Sequence, residues 1–67
     1  MSIAKVTEVI SSSTTGIEDA VRQGVARASK TLDDIQGVWV KDINCTVDGA
    51  NIVEWRCTLK ITFVLKD

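Results

Sequence analysis

Val53-Glu54-Trp55-Arg56-Cys57-Thr58-Leu59-Lys60-Ile61-Thr62-Phe63-Val64-Leu65 alternates without a break. Val53, Trp55, Cys57, Leu59, Ile61, Phe63 and Leu65 point one way, while Glu54, Arg56, Thr58, Lys60, Thr62 and Val64 point the other, as in a strand buried on one face. That apolar face needs a cover. Upstream, Asp48-Gly49 supplies the positive backbone angles of a tight reversal, and Val38 to Val47 is again β-branched, so the two segments read as a hairpin. By strict alternation Trp39, Lys41, Ile43, Cys45 and Val47 share one face of the first arm, and Val38, Val40, Asp42, Asn44 and Thr46 the other.

The cover comes from the segment before the hairpin. Ile17, Ala20, Val21, Gly24, Val25, Ala28 and Leu32 recur at three- and four-residue steps, the stripe of an amphipathic helix. Thr15 is placed to cap it, with Glu18 three residues on to return the bond. Gly24 costs the helix about 1 kcal/mol relative to Ala, so another backbone or strand is expected to come close there. Glu18 and Arg22 are spaced for a pair on the solvated side. Earlier still, Ile3 to Ile10 reads as a strand, with Ala4, Val6, Glu8 and Ile10 on one face. The hydroxyl-rich run Ser11-Ser12-Ser13-Thr14-Thr15-Gly16 reads as the loop that joins it to the helix.

These elements give an α+β fold, β-α-β-β, in which a three-stranded antiparallel sheet packs on one helix. Residues 1–67 are read as a single domain. The helix covers one sheet face only. If Val38 and Val40 pack on the helix, Trp39 lies on the open face with Arg56 as a cross-strand neighbour, and Ile43, Cys45 and Val47 also need covering there.

A chain of 67 residues buries little apolar surface for its entropy cost, and the usual staples are missing. There is no His and only two Cys, so a Cys/His zinc site is not available. With no secretory signal pattern, Cys45 and Cys57 are expected to be reduced thiols in the cytoplasm, and alternation puts them on opposite faces unless a bulge intervenes. Oligomerisation is the staple that remains. A net charge of −1, with Lys and Arg scattered, leaves no footprint for nucleic acid or an anionic membrane, and the apolar runs are too short to span a bilayer.

Catalytic machinery is not expected. There is no His or Tyr, no G-x-S-x-G turn and no phosphate-cradling glycine loop. Asp33, Asp34, Asp42 and Asp48 are candidates to gather around a hard cation across a symmetric interface. Arg56 and Lys60 are candidates for an anion if several copies bring them together, with Glu54 the one obvious acid within the chain for Arg56. Trp55 belongs with the core residues, whereas Trp39, on the open face, is either an interface anchor or a stacking platform.

The order of elements, the helix from Gly16-Ile17-Glu18-Asp19-Ala20 to Ala26-Arg27-Ala28-Ser29-Lys30-Thr31-Leu32, and the closing Leu59-Lys60-Ile61-Thr62-Phe63-Val64-Leu65 resemble the dodecin family over the whole chain. The resemblance implies a hollow homododecamer that binds flavins such as riboflavin or FMN, stores them and quenches their excited states without turnover. It also implies a Trp early in the second strand that stacks on the flavin, and a Gln on the third strand that bonds its polar edge. Matching Thr31-Leu32 and Val40 to the family places Gly37 at the Trp position and Arg56 at the Gln position. Trp39 is two residues further on, nearly 7 Å along a strand. Gly37, Val38, Trp39 and Arg56 are therefore the expected ligand-contacting positions. Arg56 favours an anionic or phosphorylated ligand. The alternative is a dodecameric assembly that has lost flavin and holds anions or a metal ion.

Overall fold

The computed structural model describes residues 2–66. The elements run β1 (Ala4–Ser13), α1 (Ile17–Ala28), β2 (Ile35–Asp48) and β3 (Asn51–Val64), and the strands form one antiparallel sheet in the order β1-β3-β2. The expected β-α-β-β fold is the one observed.

β3 is central, so its alternation writes the core. Cys57, Leu59 and Ile61 are fully buried and meet Ala20 and Ala28 of α1, with Val9, Val21, Leu32, Ile35 and Val40 packed around them. Gly24 is where helix and sheet come closest. A Cβ added there would lie 2.5 Å from Leu59 Cδ1 and 3.1 Å from Ser11 Cβ. The glycine is needed for space; a larger residue would push the helix off its floor.

β1 is longer than expected. Ser11, Ser12 and Ser13 pair with Cys57, Arg56 and Trp55, so the serine run is strand and not loop. Register with β3 satisfies their backbones, which removes the reason for serine to favour a turn. The helix start differs too. Gly16 is the N-cap, in extended backbone, and no side chain caps the helix. Thr15 thus sits one residue too early to reach the first helical amides. Ser13, buried at the end of β1, organises the corner: its Oγ accepts from the Thr15 amide at 3.0 Å and the Gly16 amide at 3.4 Å and donates to Asp19 Oδ2 at 2.6 Å. Glu18 pairs with Arg22 at 2.7 Å, as spaced for. At the other end α1 stops at Ala28, and three-residue bonds from Lys30 to Arg27 and from Thr31 to Ala28 tighten the turn that leads to Leu32.

Three register shifts shape the hairpin. They fall between Ile35 and Gly37, between Val40 and Asp42, and between Thr46 and Val47. Each adds an unpaired residue to one strand and reverses which side later residues face. Val38 and Val40 lie opposite Ile61 and Leu59, on the helix side as expected. Beyond the extra residue at Lys41, however, Ile43 lies opposite Cys57 and Cys45 opposite Trp55. Ile43, Cys45 and Val47 therefore belong to the helix side, which corrects their placement beside Trp39, and the two cysteines share a face. The reversal itself is a two-residue loop, Gly49-Ala50, between the paired Asp48 and Asn51, and only Gly49 has positive φ there (63°).

The hairpin runs on past the part of β3 that β1 covers, which makes the subunit a lath of 51 × 19 × 13 Å. Its radius of gyration is 13.8 Å, against about 11 Å for a compact chain of this length.

Two outcomes follow at fixed protein concentration. Gly24→Ala lowers stability by about 1 kcal/mol in urea melts, because about 1–3 kcal/mol of overpacking outweighs the helix-propensity gain of about 1 kcal/mol. In a Leu59→Ala background, which removes the obstructing methyl, most of that penalty disappears. The second concerns acid. The Ser13 hydrogen bond, helped by Thr15, Gln23 and Arg22, holds the Asp19 carboxyl below its ordinary range against the opposing effect of burial. A depressed folded-state pKa contributes stability that is complete above the unfolded value and lost as pH falls through the folded one. The stability gap between the protein and Asp19→Asn is therefore widest at neutral pH and closes on acidification through the low carboxylate range, as thermal melts across a pH series will record.

Candidate ligand site on the open sheet face

The face away from α1 collects Val6, Glu8, Ile10 and Ser12 from β1, Glu54, Arg56, Thr58, Lys60 and Thr62 from β3, and Gly37, Trp39, Asp42, Asn44 and Thr46 from β2. Trp39 is 64% exposed, Ile10 66% and Val6 53%, so large apolar groups stand in solvent beside charged ones. Exposure on this scale across one face marks a surface awaiting cover.

Trp39 is placed by register. It lies opposite Lys60, whose Nζ sits 5.1 Å from the indole centroid, within cation–π range. Lys60 in turn lies opposite Glu8. Lys41, the extra residue of the second shift, reaches across to Glu8 Oε1 at 3.1 Å. One row across the sheet thus holds an acid, a lysine and an indole, with a second lysine bonded to the acid.

The four expected contact residues do not converge within one subunit. Gly37 and Trp39 share the open face, and no atom lies within 4 Å of where a Gly37 side chain would begin, so the strand is bare there. Val38, between them, faces the helix side opposite Ile61. Arg56 lies opposite Asn44 and pairs with Glu54 at 3.2 Å, the acid singled out from the sequence. It is not a neighbour of Trp39: Lys60 holds that place, four residues further along β3, or about 13 Å away. The shift at Lys41 adds to the separation. Lys60 and Lys41 were overlooked as partners of the indole and of Glu8. The opposition of Val40 and Leu59 implies Trp39 against Lys60, whereas Lys41 is visible only once the bulge is known.

The acidic residues behave differently from a cation cage. Asp33 and Asp34 both face Lys66 Nζ, at 3.8 and 3.9 Å. Among the described residues no three His, Cys, Asp or Glu side chains gather as a metal site would require. Concavities of about 440 and 310 Å³ lie along α1, and neither includes Gly37, Trp39, Lys60 or Arg56. The row of Glu8, Lys60 and Trp39 on the open face thus lies outside both concavities. No described helix is long and apolar enough to cross a membrane.

This arrangement of one helix on a bulged, half-covered three-stranded sheet has close counterparts, and the dodecin family model matches residues 3–66. The chain belongs to the dodecin family. It is 33% identical over 66 residues to calcium dodecin of Mycobacterium tuberculosis, covering 98% of this chain and 93% of that one. It is 32% identical over 65 residues to dodecin of Thermus thermophilus, covering 97% and 94%. Among solved structures, an arginine-to-alanine variant of the T. thermophilus dodecin superposes with a TM-score of 0.95 at 31% identity over the whole of both chains. The M. tuberculosis calcium dodecin, described as calcium-chelating with a novel calcium-binding site, gives 0.83 at 31% identity over 96% of this chain and 91% of its own. This dodecin thus keeps the family fold, and its open face carries Trp39, Lys41 and Lys60.

Breaking the row across the sheet tests its geometry. Lys60→Met removes the cation from the indole and leaves Trp39 in place. The tryptophan emission spectrum is expected to shift, with stability changing by less than about 1 kcal/mol, the usual worth of an exposed cation–π contact. Unchanged emission would show that Lys60 does not sit over the ring in solution.

Proposed function

We propose that this dodecin is a non-catalytic storage or sequestration protein of the cytoplasm, a homododecamer that holds a flavin where the open sheet faces of neighbouring subunits meet. Exposed Trp39 carries the reading: an indole 64% open to solvent, on a face that also exposes apolar Val6 and Ile10 on the far strand β1, offers a ring-sized stacking surface that one subunit cannot enclose. A second copy supplies the missing wall.

The charges on the same face bear on which flavin is held. Lys60, Lys41 and Arg56 all stand on it; of the acids there, Glu8 and Glu54 pair with Lys41 and Arg56, and Asp42, opposite Thr58, accepts from the Ile43 amide. Lys60 has the indole as its near neighbour and is the cation free to meet a phosphate once a ring displaces it from the indole. FMN is therefore favoured over riboflavin. Gly37 and Val38 supply the strand edge along which the ring would lie, and Arg56 of another copy would face its polar edge.

Gly37 supports the second reading, a dodecameric assembly without flavin. Open space stands where the family resemblance implies a stacking indole, and Trp39 is displaced from that point by two residues. In that case Trp39 anchors subunits. Bound calcium is the less favoured form of this reading, since Asp33 and Asp34 already face Lys66.

One titration separates the two. Added to FMN or riboflavin, the protein is expected to quench flavin emission, FMN the more strongly. Trp39→Ala weakens binding about tenfold or more, the equivalent of about 1.4 kcal/mol, while light scattering still reports a particle of twelve chains. Full flavin emission at tens of micromolar protein would establish the second reading, and dissociation of Trp39→Ala into small species would make the indole an anchor. Under the favoured reading, calcium addition or chelation leaves the melting temperature unchanged.

A further inference from the structure

The second register shift has a consequence on the helix side of the sheet, away from Trp39. We infer that Cys45 and Cys57 form a two-thiol site, within one subunit, for a soft monovalent metal ion of the copper(I) class. Cys45 lies opposite Trp55 and Cys57 opposite Ile43, so the thiols sit one diagonal step apart on the same face of adjacent strands. That spacing is about 6–8 Å between the side-chain origins, wider than the roughly 3.5–4.5 Å of a disulfide. It suits two sulfurs turned inward about one ion, since two metal–sulfur bonds of about 2.3 Å set the sulfurs between 4 and 5 Å apart.

The surroundings select the ion. Cys57 is fully buried beside Ala20 and Leu59, whereas Cys45 is half-buried on the outer strand β2 and forms the opening. No third His, Cys, Asp or Glu joins them among the described residues. Zinc, which takes four ligands in structural sites, is thereby disfavoured, and a soft ion content with two thiolates is favoured. Burial, and then the nearness of Cys45, push the Cys57 thiol upward. Binding replaces both thiol protons: two S–H bonds break, two copper–sulfur bonds form, two protons leave to solvent, and the metal's oxidation state is unchanged.

The test uses the full chain, reduced and kept free of oxygen, titrated with copper(I) against the competing chelator bicinchoninate. One copper per chain is expected to be retained, with thiolate-to-metal absorption in the ultraviolet. Cys45→Ser is expected to weaken retention by more than the ~10–100-fold that loss of an outer partner costs, with circular dichroism and particle size unchanged. Because Cys45 is half-exposed, this variant stays interpretable even if Cys57→Ser does not fold. No retained copper, equal retention by Cys45→Ser, or half a copper per chain, which means bridging between chains, would each overturn the inference. None of these results depends on whether flavin binds.

Discussion

Everything in this subunit is positioned by the contact between Gly24 of α1 and Leu59 of β3. A helix that carries side chains all round stands off a sheet; a missing side chain lets this one settle onto Leu59 and Ser11. That seating closes the small core around Cys57, Leu59 and Ile61 and fixes which sheet face is covered. The open face, with its indole and lysines, is the remainder of that choice. One twelve-residue helix has no second stripe with which to cover it.

The core was legible because its signal is periodic and central. β3 is flanked on both sides, so one face of it had to be dry, and its alternation gave the buried residues directly. Gly24 was legible for a related reason: a costly residue in a good helix needs a spatial cause. The extra residue at Lys41 was not legible. An extra residue in a strand leaves no mark in composition, and strict alternation carried through it sends Ile43, Cys45 and Val47 to the wrong side. The serine run misled in the opposite direction, since serine's taste for turns is weak and register with β3 overrides it. The helix cap was missed by one residue because the buried Ser13, and not Thr15, governs the corner.

The candidate site was only partly legible. That Trp39 lies on the open face came from its parity with Val38 and Val40, a stretch clear of the shifts. Its partner did not come out of that reasoning, because residues that attract attention by type, such as Arg56, need not be near in register. An open sheet face also conceals any pocket that several copies would build: its walls would belong to different chains, and one sequence specifies only its own. Apolar groups are left in water on both sides of the sheet, Val6 and Ile10 on one and Val47 and Ile52 on the other.

The shifts also make strand length a counting device. Each odd residue turns the arm beyond it half a revolution, as a ratchet advances by one tooth and has no intermediate stop. Gain or loss of a single residue in β2 would exchange the dry and wet sides of the hairpin tip at a stroke, whereas two would restore them. Evolution along this arm therefore moves more easily by substitution, or by paired steps, than by single insertions.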